Sequence, residues 1–229
     1  PSGTHYVCRI DTSNGAILSQ FLVAGPSGAQ PRGMTFDGTY LWYGIIFPSR
    51  VYKLTTGGAK VDSFNVPSPR DPTGLAWDGT GIWMFNDAGP ESLIKFNTSG
   101  GQIGSIALNR YLTDGGLGLT YTGTCFWAHD WGNPVLKFNL SGSASDSFGE
   151  PANMFTWGLT YDGTYLWLSR WAAGDSLYKI LDLGTSVKEQ PSIIKCDNLL
   201  NVQPNPVREQ AVVTFFAPTK SKIRIELYD

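Results

Sequence analysis

Gly158-Leu159-Thr160-Tyr161-Asp162-Gly163-Thr164-Tyr165-Leu166-Trp167 consists of two apolar runs joined by Asp-Gly-Thr. Asp-Gly between such runs is a hairpin signal, because a tight two-strand turn needs positive φ and glycine adopts it at little cost. The same ten-residue phrase occurs three times upstream. It reads Gly33-Met34-Thr35-Phe36-Asp37-Gly38-Thr39-Tyr40-Leu41-Trp42, Gly74-Leu75-Ala76-Trp77-Asp78-Gly79-Thr80-Gly81-Ile82-Trp83 and Gly118-Leu119-Thr120-Tyr121-Thr122-Gly123-Thr124-Cys125-Phe126-Trp127. The leading glycines recur after 41, 44 and 40 residues. A second apolar run follows each copy, centred on Lys53, Lys95, Lys137 or Lys179, which lie 20, 21, 19 and 21 residues after the respective glycine.

Each copy translates into four strands. The hairpin supplies strands a and b, the lysine-bearing run is strand c, and a glycine-containing turn leads to strand d. Four antiparallel strands every 40 or so residues is the period of a β-propeller blade. Val7-Cys8-Arg9-Ile10, Ser13-Asn14-Gly15 and Ile17 to Val23 match strand c, turn and strand d of one more blade. The fold expected is therefore all-β: a β-propeller of four-stranded antiparallel blades, four copies plus a half blade, in a ring of five or more. On this reading strands a and b of the half blade precede Pro1, and the propeller occupies residues 1–187, truncated at its N-terminus.

The composition agrees with that reading. Of 229 residues, 27 are Gly and 14 are Pro, and 13% are aromatic, a balance that favours turns and strands over helices. Lys plus Arg is 17 and Asp plus Glu is 19, giving a net charge of -2. That near balance argues against a nucleic-acid-coating surface or a polybasic membrane arm. No apolar run approaches the ~20 residues of a membrane-spanning helix. Three scattered cysteines, Cys8, Cys125 and Cys196, form no CxxC pair and no metal-ligand spacing. No calcium loop of the DxDxDG type occurs either, so neither a cofactor nor a metal is expected.

Beyond the repeats, residues 188–203 read as a polar linker. Pro204-Asn205-Pro206 then precedes Ala211-Val212-Val213-Thr214-Phe215-Phe216, Ala217-Pro218 and the alternating run Ile223-Arg224-Ile225-Glu226-Leu227-Tyr228-Asp229. This ordered set resembles the start of the immunoglobulin-like C-terminal sorting domain of bacterial type IX secretion substrates. The resemblance implies the first strands of a β-sandwich over 204–229, delivery by the secretion machinery, and a secreted or outer-surface location on a bacterium. The blades are similar to those of broad secreted bacterial propeller families, a likeness of architecture that names no activity.

The residues that recur in every blade read as packing, since a ring repeats its core and a ligand site does not. Trp42, Trp83, Trp127 and Trp167 are expected between blades, and the lysine stems over the next sheet. Function is expected where the copies differ, on the b–c and d–a loops gathered at the end opposite the Asp-Gly turns. Trp131 and Trp171 stand there as candidate stacking platforms, with His129, Asp130, Arg170 and Asp87 as polar partners. Exposed aromatics flanked by planar polar groups suit a glycan or a surface protein.

For catalysis, His129-Asp130 is the only His beside a carboxylate, and neighbours on a strand point to opposite sides. No GxSxG and no HExxH occurs. The repeats are also similar to those of the glutamine cyclotransferases, propellers that carry a Glu shortly after the strand b aromatic. Tyr43, Met84, Ala128 and Leu168 stand next to the tryptophans here. The expectation is thus a secreted binding or scaffold propeller with no assigned catalytic residue. The alternatives are a small-molecule enzyme acting in the central channel and a passive spacer.

Overall fold

The computed structural model describes residues 5–12, 15–23, 25–26, 28–67, 70–86, 92–109, 118–129, 134–148, 156–170, 176–181, 188–195, 199–203 and 210–216. From residue 188 onward the description is of backbone alone. Every regular element among these residues is a β-strand.

Four blades are each built from one run of chain. The first is β3 (Gln30–Phe36), β4 (Leu41–Ile46), β5 (Arg50–Leu54) and β6 (Lys60–Asn65). The second is β7 (Leu75–Trp77), β8 (Ile82–Asn86), β9 (Ser92–Phe96) and β10 (Gln102–Ala107). The third is β11 (Gly118–Tyr121), β12 (Cys125–His129), β13 (Val135–Asn139) and β14 (Ala144–Phe148). The fourth is β15 (Thr156–Tyr161), β16 (Tyr165–Arg170), β17 (Ser176–Leu181) and β18 (Lys188–Lys195). All adjacent pairs are antiparallel, as the repeat requires. In each hairpin the turn glycine stands at positive φ, from +92° at Gly79 to +100° at Gly163.

A fifth four-stranded sheet joins the two parts of the chain outside these blades. Its order is β19 (Leu199–Gln203), β20 (Gln210–Phe216), β1 (His5–Asp11) and β2 (Ile17–Leu22). β20 runs antiparallel to β1 in unbroken register, from His5 opposite Phe216 to Asp11 opposite Gln210. Here the backbone differs from the sequence expectation. The inner two places of this sheet, expected to be taken by strands preceding Pro1, are filled by β19 and β20, whose residues were expected to form a linker and a sandwich strand. Residues 188–195, also assigned to the linker, form the outer strand of the fourth blade. The physical reason is edge satisfaction. β1 presents an open row of N–H and C=O groups, and the β-branched and aromatic run at 211–216 pairs with it. A polar composition concealed β18, because an outer strand needs little apolar surface.

The inner strands follow one another around an axis: β3 beside β7, β7 beside β11, β11 beside β15, β15 beside β19, and β19 beside β3. The leading glycine of the repeat permits this spacing. A Cβ on Gly74 would stand 2.9 Å from the Leu119 Cβ and 3.1 Å from its backbone nitrogen. One on Gly118 would meet Leu159 in the same way, at 2.8 Å. Thr35 stitches two inner strands together by accepting a 3.0 Å bond from the Trp77 N–H.

The core lies between blades. Trp42 packs with Leu75, Ile82 and Met84 of the second blade. Trp83 joins Leu119, Phe126 and Phe138 of the third, and Trp127 joins Leu159, Leu166 and Tyr178 of the fourth. Three of the tryptophans expected between blades are there, and Trp167 is buried. The lysines depart from expectation. Each Nζ lies over the tryptophan of its own blade, 5.2 Å from the ring centroid at Lys53 and Trp42, 5.4 Å at Lys95 and Trp83, and 5.1 Å at Lys137 and Trp127. Cross-strand register decides this, because Trp42 faces Lys53 and Trp83 faces Lys95 on adjacent strands.

Candidate functional site

The repeat aspartate is the third member of that unit. Asp37, Asp78 and Asp162 each accept the tryptophan Nε1–H of their own hairpin at 2.7 Å through one oxygen. The other oxygen accepts backbone N–H groups of the turn, as Asp78 does from Thr80 and Gly81, both at 2.9 Å. Asp78 also receives the Lys95 ammonium at 2.5 Å. Burial pushes the Asp78 carboxyl upward in pKa, but the hydrogen bonds from Lys95, Trp83 and Thr80 outweigh it and bring the group down to about 2. In the third blade Thr122 stands in the aspartate's place, and its hydroxyl reaches the Cys125 carbonyl at 3.3 Å. The Asp–Trp–Lys unit is therefore a structural clasp of the hairpin.

The ring leaves two mouths. At the loop end, Arg32 near the start of β3 and Trp157 near the start of β15 belong to inner strands on either side of β19. The Arg32 guanidinium lies 5.5 Å from the Trp157 ring centroid, and its Nη2 donates to Gln30 Oε1 at 2.9 Å. Burial lowers the Arg32 pKa, and the nearby Asp71 carboxylate pulls it back up. Ser49, on the b–c loop of the first blade, donates its hydroxyl to Asp71 on the following d–a loop. Phe47 on the same b–c loop is 67% exposed. Trp157 and Asp71 stand in or beside the d–a connections, the regions where function was expected; Arg32 and Gln30 were not singled out, because they precede the repeat phrase and nothing in sequence aims them across the ring.

Of the six residues proposed from sequence, Trp131, Asp130, Trp171 and Asp87 lie outside the described residues. Arg170 closes β16, its backbone opposite Thr156 and Ser176. His129 closes β12 and is wholly buried. It stands two residues after Trp127, hence on the same side of the strand, which faces the fourth blade. That places His129 in the interior rather than on an exposed rim. Among the described residues, no group of three or more His, Cys, Asp or Glu gathers as a metal site. Cys8 and Cys125 are buried free thiols, and burial pushes the Cys8 thiol up to about 12.

At the opposite mouth, the Asp-Gly turns surround a cavity of about 620 Å3. The last residues of four of the five inner strands line it: Phe36, Trp77, Tyr121 and Tyr161. Each packs one side against an inter-blade cluster. The two tyrosine hydroxyls donate to turn carbonyls, Tyr121 to Gly123 at 2.6 Å and Tyr161 to Gly163 at 2.7 Å.

Four-stranded antiparallel blades around an axis, with aromatic residues at both mouths, define a β-propeller. Solved structures agree on the fold. The chain is similar to Myxococcus xanthus glutaminyl cyclase, with a TM-score of 0.63 and 14% identity over 88% of this chain and 92% of that one. It is also similar to a chain of the nidogen/laminin complex, with a TM-score of 0.56 and 12% identity over 85% and 89% of the two chains. A third likeness is to catalytically inactive Staphylococcus aureus virginiamycin B lyase solved with quinupristin, at TM-score 0.54 and 15% identity over 93% and 74%. No protein-family model matches the chain, and no curated protein matches its sequence.

Proposed function

We propose that this protein is a binding propeller of the bacterial exterior that recognises a glycan at its loop end. The observation that carries this reading is the Arg32 guanidinium lying over the Trp157 ring, with Gln30 and Asp71 beside it. An indole with a guanidinium over its ring, and an amide and a carboxylate beside that guanidinium, combines apolar surface with planar hydrogen-bonding groups, the combination a sugar ring uses. The proposed surface includes Trp131 and Trp171, with Asp130, Arg170 and Asp87, which the sequence reading assigns to the variable loops of this end. A carbohydrate array with the full chain tests the reading. Saturable binding that falls at least about tenfold in Trp157→Ala and Arg32→Ala supports it; an array with no binder, or binding of a surface protein only, overturns it.

The exterior location rests on the sequence of residues 204–229 and its likeness to type IX sorting domains. Deleting 217–229 leaves β20 in place. In the native host this shortened chain is expected to stay inside the cell, and normal export would remove the sorting reading.

A second reading is a small-molecule enzyme. It is favoured by the likeness in fold to glutaminyl cyclase and virginiamycin B lyase over most of each chain. Turnover of a glutaminyl substrate, of virginiamycin B or of quinupristin by the purified chain decides it.

A further inference from the structure

We propose that the cavity at the Asp-Gly mouth is a second ligand site, independent of the loop end, and that it takes an organic cation. Four aromatic side chains, Phe36, Trp77, Tyr121 and Tyr161, converge on this space from four different blades. All four are half-buried, seated by one side on the inter-blade core and open on the other. The repeat supplies one aromatic per hairpin at the last position of strand a, so closing the sheet into a ring brings together rings that lie 41, 44 and 40 residues apart in sequence. Aromatic faces carry negative electrostatic potential, and several of them converging on one space favour a cation.

The polar lining points the same way. Both tyrosine hydroxyl protons are committed to glycine carbonyls. With those protons committed, the tyrosine oxygens have only lone pairs left to offer the cavity. Asp37 and Asp78 are the charged residues of the wall, and no Lys or Arg is among its lining residues. Lys95 neutralises part of Asp78 from the outer side of the hairpin. Asp78 stays ionised at any ordinary pH, since its carboxyl titrates near 2. Burial raises the Tyr121 pKa, and the nearby Asp78 and Cys125 add to that rise. The wall is thus rich in π faces and acceptors. A cavity of about 620 Å3 has room for an ammonium carried on a larger body.

Titration of the full chain by calorimetry, with tryptophan fluorescence as a second readout, tests the assignment. The probes are choline and benzyltrimethylammonium, set against 3,3-dimethylbutan-1-ol, the neutral carbon isostere of choline, and against glucose. The cations are expected to bind saturably and at least about tenfold more tightly than either neutral probe. Tyr121→Leu with Tyr161→Leu is expected to remove binding. Tyr121→Phe is expected to keep it, since the ring is retained and the lost hydroxyl was committed elsewhere. Unchanged circular dichroism and melting temperature mark the variants as folded, and the glycan array at the loop end reads the first site separately. Equal binding of dimethylbutanol, displacement by glucose, loss on Tyr121→Phe, or no saturable binding of either cation overturns the proposal.

Discussion

Trp83 and Phe126 meet across a blade boundary with ring centroids 5.2 Å apart and planes at 68°, an edge-to-face contact. The two residues come from equivalent hairpins of consecutive blades. Trp83 is held in that pose from its own side by Asp78, which accepts its Nε1–H, and by the Lys95 ammonium over its ring. The first, second and fourth repeats hold their indoles by this aspartate bond, and the second presents its pre-oriented indole to the third. Trp83→Ala removes the indole from a cluster of fully buried residues and leaves a cavity there. The expected cost is roughly 3–5 kcal/mol, read from denaturant midpoints. A change below about 1 kcal/mol would mean that the contact does not hold the blades together.

Gly74→Ala tests how closely the inner strands approach. The added methyl would sit 2.9 Å from the Leu119 Cβ and near backbone that cannot yield without shifting a strand. A loss of about 1–3 kcal/mol is expected. Gly79→Ala is the informative companion. Nothing lies within 4 Å of its Cβ position, but its φ is +92°. Its cost of about 1–2 kcal/mol comes from left-handed backbone alone. If Gly74→Ala is neutral, the blades have more slack than the structure gives them.

Acid sensitivity follows from Asp78. Its folded carboxyl titrates near 2, below the ordinary value of 3.8. A group depressed in this way adds stability above its unfolded value, and that contribution is lost as pH falls from about 4 toward 2. Asp78→Asn lacks the term. The stability difference between wild type and Asp78→Asn is therefore expected to be full at pH 5 and to shrink on approaching pH 2. A difference constant across that window would show that the Lys95 and Trp83 bonds are not what lowers the carboxyl.

Removing residues 204–229 separates two accounts of the C-terminal segment. The sequence likeness to a sorting domain expects an independent unit whose loss leaves the propeller unchanged. The register of β20 on β1, seven residue pairs long, expects an opened edge and a weakened ring. We expect the second outcome, a loss of at least about 2 kcal/mol in urea unfolding. An unchanged midpoint would return these residues to a separate domain.

How much of this was legible beforehand differs between the ring and its mouths. The hairpins were legible because Asp-Gly encodes a turn within four residues, and Asp37, Asp78 and Asp162 bond the very N–H groups that the turn exposes. The tryptophans were legible as core because they recur. The aromatic residues at the Asp-Gly mouth were visible in the same phrase but were absorbed into the blade pattern. A residue that ends a strand facing a neighbour and one that ends it facing a cavity look alike until the ring is closed. His129 misled for a related reason: adjacency to Asp130 in sequence says nothing of the strand face that buries it.

By itself the sequence determined what local chemistry determines: the strand period, the turns, the number of repeats and the residues that each blade must bury. Those depend on contacts a few residues apart, or on a pattern repeated so often that its meaning survives without coordinates. Only the tertiary structure decided which strands complete the fifth sheet, that each lysine covers its own tryptophan, and that Arg32 and Trp157 meet near one mouth while four aromatic side chains line the other. These are pairings between segments far apart in the chain. They are fixed by which open edges and faces remain once the blades have packed, and no residue announces them alone.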